Sequence, residues 1–280
     1  MQLTAPFAIP DQQLPDPTRR LSPEFLRAYP SIAGLWTPSK LIKAAADFNP
    51  TKKNFGALNG GVTIVSANVG IFGEAWKFDG NTGDITTPPA IDGTSDCSLI
   101  ALVKPAAKVG GLGNVIFGGV GTSTNRAIIW TVEDTKMQFF SDELNSVGNS
   151  SAVTYSAGDW CFCGVTFNNS TFATKFYFAK VGQALADVSS TNNTASLFSG
   201  YVSNRIGQDP ANSLFFGGQI VAVFAYRKIL TLAQVSALYS SLLYGEPYRL
   251  FAPSVMERFY GAGAAPSGKV PWQLFQSRAA

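Results

Sequence analysis

Between residues 31 and 230 the chain is a succession of short runs rich in aromatic and β-branched residues, and this rhythm constrains the fold more than any other feature. Asp96–Val103 (DCSLIALV) reads as a strand closed by Pro105. Val115–Phe117, Ala127–Val132 and Met137–Phe140 follow at short intervals. Asp159–Asn168 (DWCFCGVTFN), Lys175–Lys180 (KFYFAK) and Gly217–Tyr226 (GGQIVAVFAY) are denser still. Turn-forming clusters separate them, at Gly110–Asn114, Gly118–Thr124, Asn168–Ser170 and Asn192–Asn193. Strands never alternate with helical patterns, which argues against a parallel α/β sheet, and an all-β sandwich or jelly roll is expected. Composition agrees: of 280 residues 46% are hydrophobic and only 14% charged, with 21 Phe, 27 Gly and 16 Pro.

One helix breaks the pattern. Thr231 and Gln234 form a T-x-x-Q capping box, and Leu232, Val235, Leu238, Tyr239 and Leu242 fall on one helical face. Gly245 and Pro247 stop it. A short helix pinned to the sandwich by its apolar stripe is expected.

The two ends differ from the middle. Residues 1–30 contain Pro6, Pro10, Pro15, Pro17, Pro23 and Pro30, which exclude a long helix or a central strand. They read as an extended arm with one helical turn at Pro23–Ala28. Residues 246–280 carry EPYRLFAP (246–253) and VPWQLFQS (270–277), one pattern of Pro, aromatic, polar, Leu and Phe written twice around the linker GAGAAPSG (261–268). Coincidence in a biased tail and a pair of docking segments both account for the repetition. The expected organisation is an arm at 1–30, a jelly roll at 31–245 and a docking tail at 246–280.

The chain has no histidine, which excludes Ser-His-Asp and Cys-His catalysis and any His-ligated metal. A net charge of +3 argues against nucleic-acid binding, and no apolar run approaches the roughly 20 residues of a membrane span. Cys97, Cys161 and Cys163 are too few for a disulfide framework and read as small buried hydrophobes, which suits a reducing cytoplasm. The first residues, MQLTAPFAIPDQQLPDP, have no charged start and are interrupted by proline, so no signal peptide is expected. Release by lysis, within a virus particle, fits that reading.

Four motifs in order point to a family. FDGNTGDITTP (78–88) resembles the strand-turn-strand of concanavalin A-like, laminin-G-like jelly rolls, and SLIALVKPA (98–106) resembles their next strand, with Leu102 near the place of a common Trp. GDWCFCGVTFNNSTFATKFYF (158–178) is similar to their paired strands. RIGQDP (205–210) and LFFGGQIVAVFAYRKILTLAQVSALY (214–239) are similar to their closing strands and helix. The stretch GEPYRLFAP after that helix resembles the segment directly C-terminal to this domain in structural proteins of tailed bacteriophages. The resemblance implies a concanavalin A-like jelly-roll β-sandwich.

The same residues have direct physical readings. Asp79–Asp84 needs positive-φ positions, which Gly80, Asn81 and Gly83 supply. Trp160 opens a core strand, and Gly217–Gly218 lets a strand start close to a neighbouring backbone. Ile220–Tyr226 is apolar on both faces and reads as a central strand covered on both sides.

Chemistry finds little support. The E-x-D-x-x-E arrangement of jelly-roll glucanases does not occur; Glu133–Asp134 and Asp142–Glu143 are adjacent pairs whose members point to opposite faces. No enzymatic activity and no cofactor are expected. Asp79, Asp84, Asp92 and Asp96 keep calcium as an alternative, and Asn168, Asn169, Asn192, Asn193 and Tyr201 are candidate sugar contacts that also serve as ordinary turn residues.

The expected function is therefore that of a bacteriophage virion structural protein, most concretely a capsid decoration protein, located in a virion assembled in the host cytoplasm. The alternative is a lectin-like tail or fibre protein that recognises a host surface glycan. The partners are the major capsid protein or other virion subunits, with homo-oligomers expected and neither nucleic acid nor membrane involved. Candidate partner contacts are Phe7, Leu14, Tyr248, Leu250, Phe251, Trp272, Leu274 and Phe275, apolar residues in segments without a core of their own. Packing back onto the same sandwich is the competing reading for them.

Overall fold

The computed structural model describes residues 22–39, 44–47, 57–106, 114–121, 127–132, 136–142, 146–151, 153–197, 200–209 and 214–245. In chain order these form α1 (Pro23–Ala28), β1 (Ile32–Ser39), β2 (Ala44–Asp47), β3 (Ala57–Asn59), β4 (Thr63–Val69), β5 (Phe72–Asp79), β6 (Asp84–Thr87), β7 (Cys97–Pro105) and β8 (Asn114–Gly121). There follow β9 (Ala127–Val132), β10 (Met137–Phe140), β11 (Val147–Asn149), β12 (Cys161–Phe167), β13 (Thr174–Lys180), β14 (Ala186–Val188), β15 (Tyr201–Ile206), β16 (Gly217–Tyr226) and α2 (Leu232–Tyr244).

The strands make two antiparallel sheets. The nine-stranded sheet runs β14-β13-β12-β7-β16-β1-β2, with the β4–β5 hairpin also pairing on β16; the seven-stranded sheet runs β11-β10-β9-β8-β15-β6-β3. β16 is long enough to serve two partners on one edge. Its first residues pair with β5 (Gly217↔Asp79) and its last with β1 (Tyr226↔Ile32), while β7 lies along its other edge.

Three layers bury two apolar interfaces. Between the sheets lie Trp36, Trp76, Trp130, Phe117, Phe139, Phe167 and Phe176, together with all three cysteines. The outer face of the nine-stranded sheet presents Leu35, Ile100, Leu102, Phe162, Phe224 and Tyr226, and both helices cover it. β12 shows why such strands read as continuous apolar runs: Cys161, Cys163, Val165 and Phe167 face the other sheet, and Phe162 faces α2. β16 is covered on both sides as expected. A register shift between Ile220 and Ala222 turns its pattern, so Ile220, Val223 and Ala225 face inward and Val221, Ala222, Phe224 and Tyr226 face the helices.

The helices form where their caps dictate. Thr231 and Gln234 make the reciprocal capping box, and Gly245 ends α2 in the left-handed region at φ 76°. Val235, Leu238, Tyr239 and Leu242 are buried as expected, whereas Leu232 is 46% exposed because it sits in the first turn, beyond the sheet contact. The helical turn expected at Pro23–Ala28 is present, with Ser22 Oγ accepting from the Phe25 amide at 3.0 Å and Pro23 in the first turn, where no amide donor is needed. Phe25 and Tyr29 are fully buried against the sheet, worth about 1.5–3 kcal/mol each. The Tyr29 hydroxyl donates to the Gln234 carbonyl at 2.7 Å and locks α1 to α2. The last third of the proline-rich segment, from Ser22 to Pro30, is therefore packed onto the body.

Candidate functional site

The loop-end polar residues are consumed by the fold. Asp79 accepts from the amides of Asn81 and Thr82, both at 2.9 Å, and from the Thr82 hydroxyl at 2.6 Å; these bonds, the hydroxyl's foremost, hold its carboxyl down at about 2. Only Gly80 of this turn takes positive φ (80°). Gly83 is needed for space instead, since a Cβ there would lie 2.8 Å from Val62 Cγ2. Burial opposes ionisation of Asp92, but bonds from Thr94 and the Arg227 guanidinium 3.1 Å away outweigh it and lower its pKa. Asp84 accepts from Asn59 and Thr86, and Asp96 accepts from the Asn169 amide at 2.8 Å. These four carboxylates do not converge, and among the described residues no three His, Cys, Asp or Glu side chains form a cluster fit for a metal ion.

The candidate sugar contacts are likewise occupied. Asn193 is buried, donating to the Phe139 and Ser146 carbonyls and the Ser141 hydroxyl and accepting from Thr174. Asn169 donates to the Gly93 carbonyl and accepts from the Leu197 amide. Asn168 closes its own turn through Ser170 and Thr171, Asn192 accepts from the Thr174 amide, and Tyr201 is buried. These residues build the end of the sandwich: Asn193 and Tyr201 are buried, Asn168 and Asn169 half-buried, and Asn192 is exposed but tied to the Thr174 amide. Of the adjacent acidic pairs, Glu133, Asp134 and Glu143 lie outside the described residues, as do Phe7, Leu14, Tyr248, Leu250, Phe251, Trp272, Leu274 and Phe275.

A different place gathers open polar groups around an aromatic ring. On the helix side of the nine-stranded sheet a cleft of about 380 Å³ is lined by Asn68, Val69, Gly70, Gly158, Asp159, Trp160, Lys180, Val181 and Gln183. That volume is within the range of about 300–1,000 Å³ usual for small-ligand sites. Trp160 precedes β12 and is half-buried, so it lines the cleft as well as opening the strand. Lys104, at the end of β7, holds its ammonium 5.9 Å from the centre of the indole ring. Lys180 pairs with Asp159 at 2.9 Å, and the Ser156 amide donates to the same carboxylate oxygen at 2.8 Å. The amide bond, then the lysine, lowers the Asp159 pKa.

α2 holds the walls. Its Tyr239 hydroxyl shares its proton between the carbonyls of Lys180 (3.0 Å) and Gln183 (2.9 Å). Its Leu242 carbonyl accepts from the Ile71 amide at 2.9 Å, fixing the β4–β5 hairpin tip. Gly70 is required there, with φ 57° and a would-be Cβ only 2.1 Å from that carbonyl oxygen. Sequence reasoning singles out Trp160 but misses Lys104, Asp159 and Lys180. They are far apart in the chain, and only the register Cys161↔Val103 and Cys161↔Lys180 brings them together.

The three cysteines offer no chemistry. All are buried as free thiols; burial pushes Cys161 up to about 12 and holds Cys97 and Cys163 well above the ordinary thiol value.

The fold and this geometry place the chain among known architectures. The binding domain of Botulinum neurotoxin DC, solved in complex with rat synaptotagmin II, is similar at 12% identity with a TM-score of 0.55, over 77% of this chain and 52% of that one. The binding domain of Paraclostridial Mosquitocidal Protein 1 is similar at 12% identity and TM-score 0.54, over 76% and 53%. This chain thus spans about half the length of these structures, and at such identity the likeness is one of fold. A search of curated proteins gives no significant match. A family model does match, over residues 79–236, more than half of the chain and the same stretch in which the four motifs lie. With the antiparallel two-sheet sandwich and its closing helix, that match establishes that the chain belongs to the concanavalin A-like lectin/glucanases superfamily.

Proposed function

We propose that this protein is a non-enzymatic structural component of a bacteriophage particle, a capsid decoration protein whose terminal segments 1–21 and 246–280 bind the major capsid protein or other virion subunits. The observation that carries the reading is the closed body. From Ser22 to Gly245 the described residues bury both faces of the nine-stranded sheet, and the loop-end carboxylates and amides are consumed within the fold. Such a body suits a rigid carrier. The apolar residues Phe7, Leu14, Tyr248, Leu250, Phe251, Trp272, Leu274 and Phe275 then serve attachment, since an extended segment gains most by burying side chains and main chain on a neighbour. Homo-oligomers arranged on the lattice follow from the same arms. Mass spectrometry of gradient-purified particles is the test: stoichiometric presence is expected, and absence from mature particles rejects the proposal.

A second reading, recognition of a surface glycan, is favoured by one observation, the open Trp160 cleft with its mixed donors and acceptors. The two readings are compatible on one particle.

A further inference from the structure

We propose that the Trp160 cleft binds a carboxylated pyranose, a hexuronic or sialic acid unit of an acidic glycan. This rests on the glycan reading above and gives it a site and a ligand class.

Among the described tryptophans, Trp160 is the half-exposed one. Trp36, Trp76 and Trp130 are fully buried between the sheets, whereas Trp160 lines the cleft and supplies an apolar surface for the C–H face of a sugar ring. Around it stand donors and acceptors of both kinds. Asn68 and Gln183 are exposed at the rim, and Asp159 offers the carboxylate oxygen that neither Lys180 nor the Ser156 amide uses. A polyhydroxylated ligand needs such a mixture.

Charge selects the acid. Lys180 is matched by Asp159, but Lys104 has no carboxylate partner among the described residues and rests only against the ring face. The cleft lining thus holds one matched ion pair, and the Lys104 ammonium stands beside it over the Trp160 ring. A sugar carboxylate meeting Lys104 completes the balance and lies beside the indole. Access is open at Gly158, where an added Cβ would meet only Lys104 Cε at 3.8 Å. The walls are preorganised, because Tyr239 and Leu242 of α2 fix the 180–183 turn and the 68–71 hairpin tip.

The test titrates the full-length chain with trigalacturonate and with sialyllactose, each beside its own methyl ester, by calorimetry and tryptophan fluorescence. At least one acid should bind, with its ester about tenfold weaker, as expected for loss of a charge-assisted hydrogen bond. Lys104→Gln should weaken the acid to the level of the ester and leave the ester unchanged. Trp160→Ala should abolish both, and Trp160→Phe, which keeps an aromatic surface and guards against misfolding, should retain binding. Esters binding as well as acids would overturn the acidic-ligand inference and leave glycan recognition standing. Acid binding that ignores both Lys104→Gln and Trp160→Ala would move the site elsewhere and overturn the inference. Binding by neither acids nor esters would overturn the inference and the glycan reading together.

Discussion

Asp79 shows what the single side chains of this protein are for. Its carboxylate ties the β5–β6 turn through three bonds to Asn81 and Thr82, and they lower its pKa from 3.8 to about 2. A depressed pKa contributes stability that is complete above the unfolded value and is lost as pH falls through the folded one. Asp79→Ala should therefore cost about 1–2 kcal/mol at neutral pH, a discounted figure for an exposed turn. The gap to the wild type should close between pH about 4 and 2 in thermal melts. Gly218 is a second case. With φ 125° and a would-be Cβ 2.2 Å from the Lys104 carbonyl oxygen, it lets β16 start against β7. Gly218→Ala should destabilise by about 2–4 kcal/mol in denaturant titrations. Gly217–Gly218 is legible in the sequence as a place of close approach, whereas the roles of Gly80 and Gly83 are not separable there. Both suit a turn by type, and only the backbone shows that one supplies positive φ and the other room.

At the scale of elements, the sequence shows best what is buried on both faces. β7, β12, β13 and β16 read as dense apolar runs because one face meets the opposite sheet and the other meets helices. β4 does not stand out in the sequence, since only Ala67 and Val69 of Thr63–Val69 are buried and its exposed positions include Ser66 and Asn68. β5, β6 and β15 are visible chiefly through family resemblance. The register shift in β16 has no sequence marker, yet it decides which residues meet α2. The cleft is illegible for a related reason: its residues come from three separate segments that only strand register and the α2 bonds assemble. That strut makes a direct test. Tyr239→Phe removes the hydroxyl that holds the Lys180 and Gln183 carbonyls and keeps the ring against Phe162, at 4.9 Å between centroids. It should cost about 1 kcal/mol. Amide hydrogen exchange should quicken at residues 181–183 and stay unchanged in β7 and β16.

For the whole molecule, the described residues pack as one three-layered unit around two apolar interfaces. Cys97, Cys161 and Cys163 lie in its central layer, so their alkylation should track global unfolding and show no earlier phase; a thiol reacting under native conditions would contradict this packing. The central claim is that this unit is a carrier and that the terminal segments attach it to a particle. Co-sedimentation with gradient-purified particles, comparing the full-length chain with a 22–245 variant of unchanged melting temperature, tests it most directly. The expected result is stoichiometric co-sedimentation of the full-length chain and loss of the variant to the soluble fraction. Equal binding by the 22–245 variant, or no binding by either chain, would contradict it.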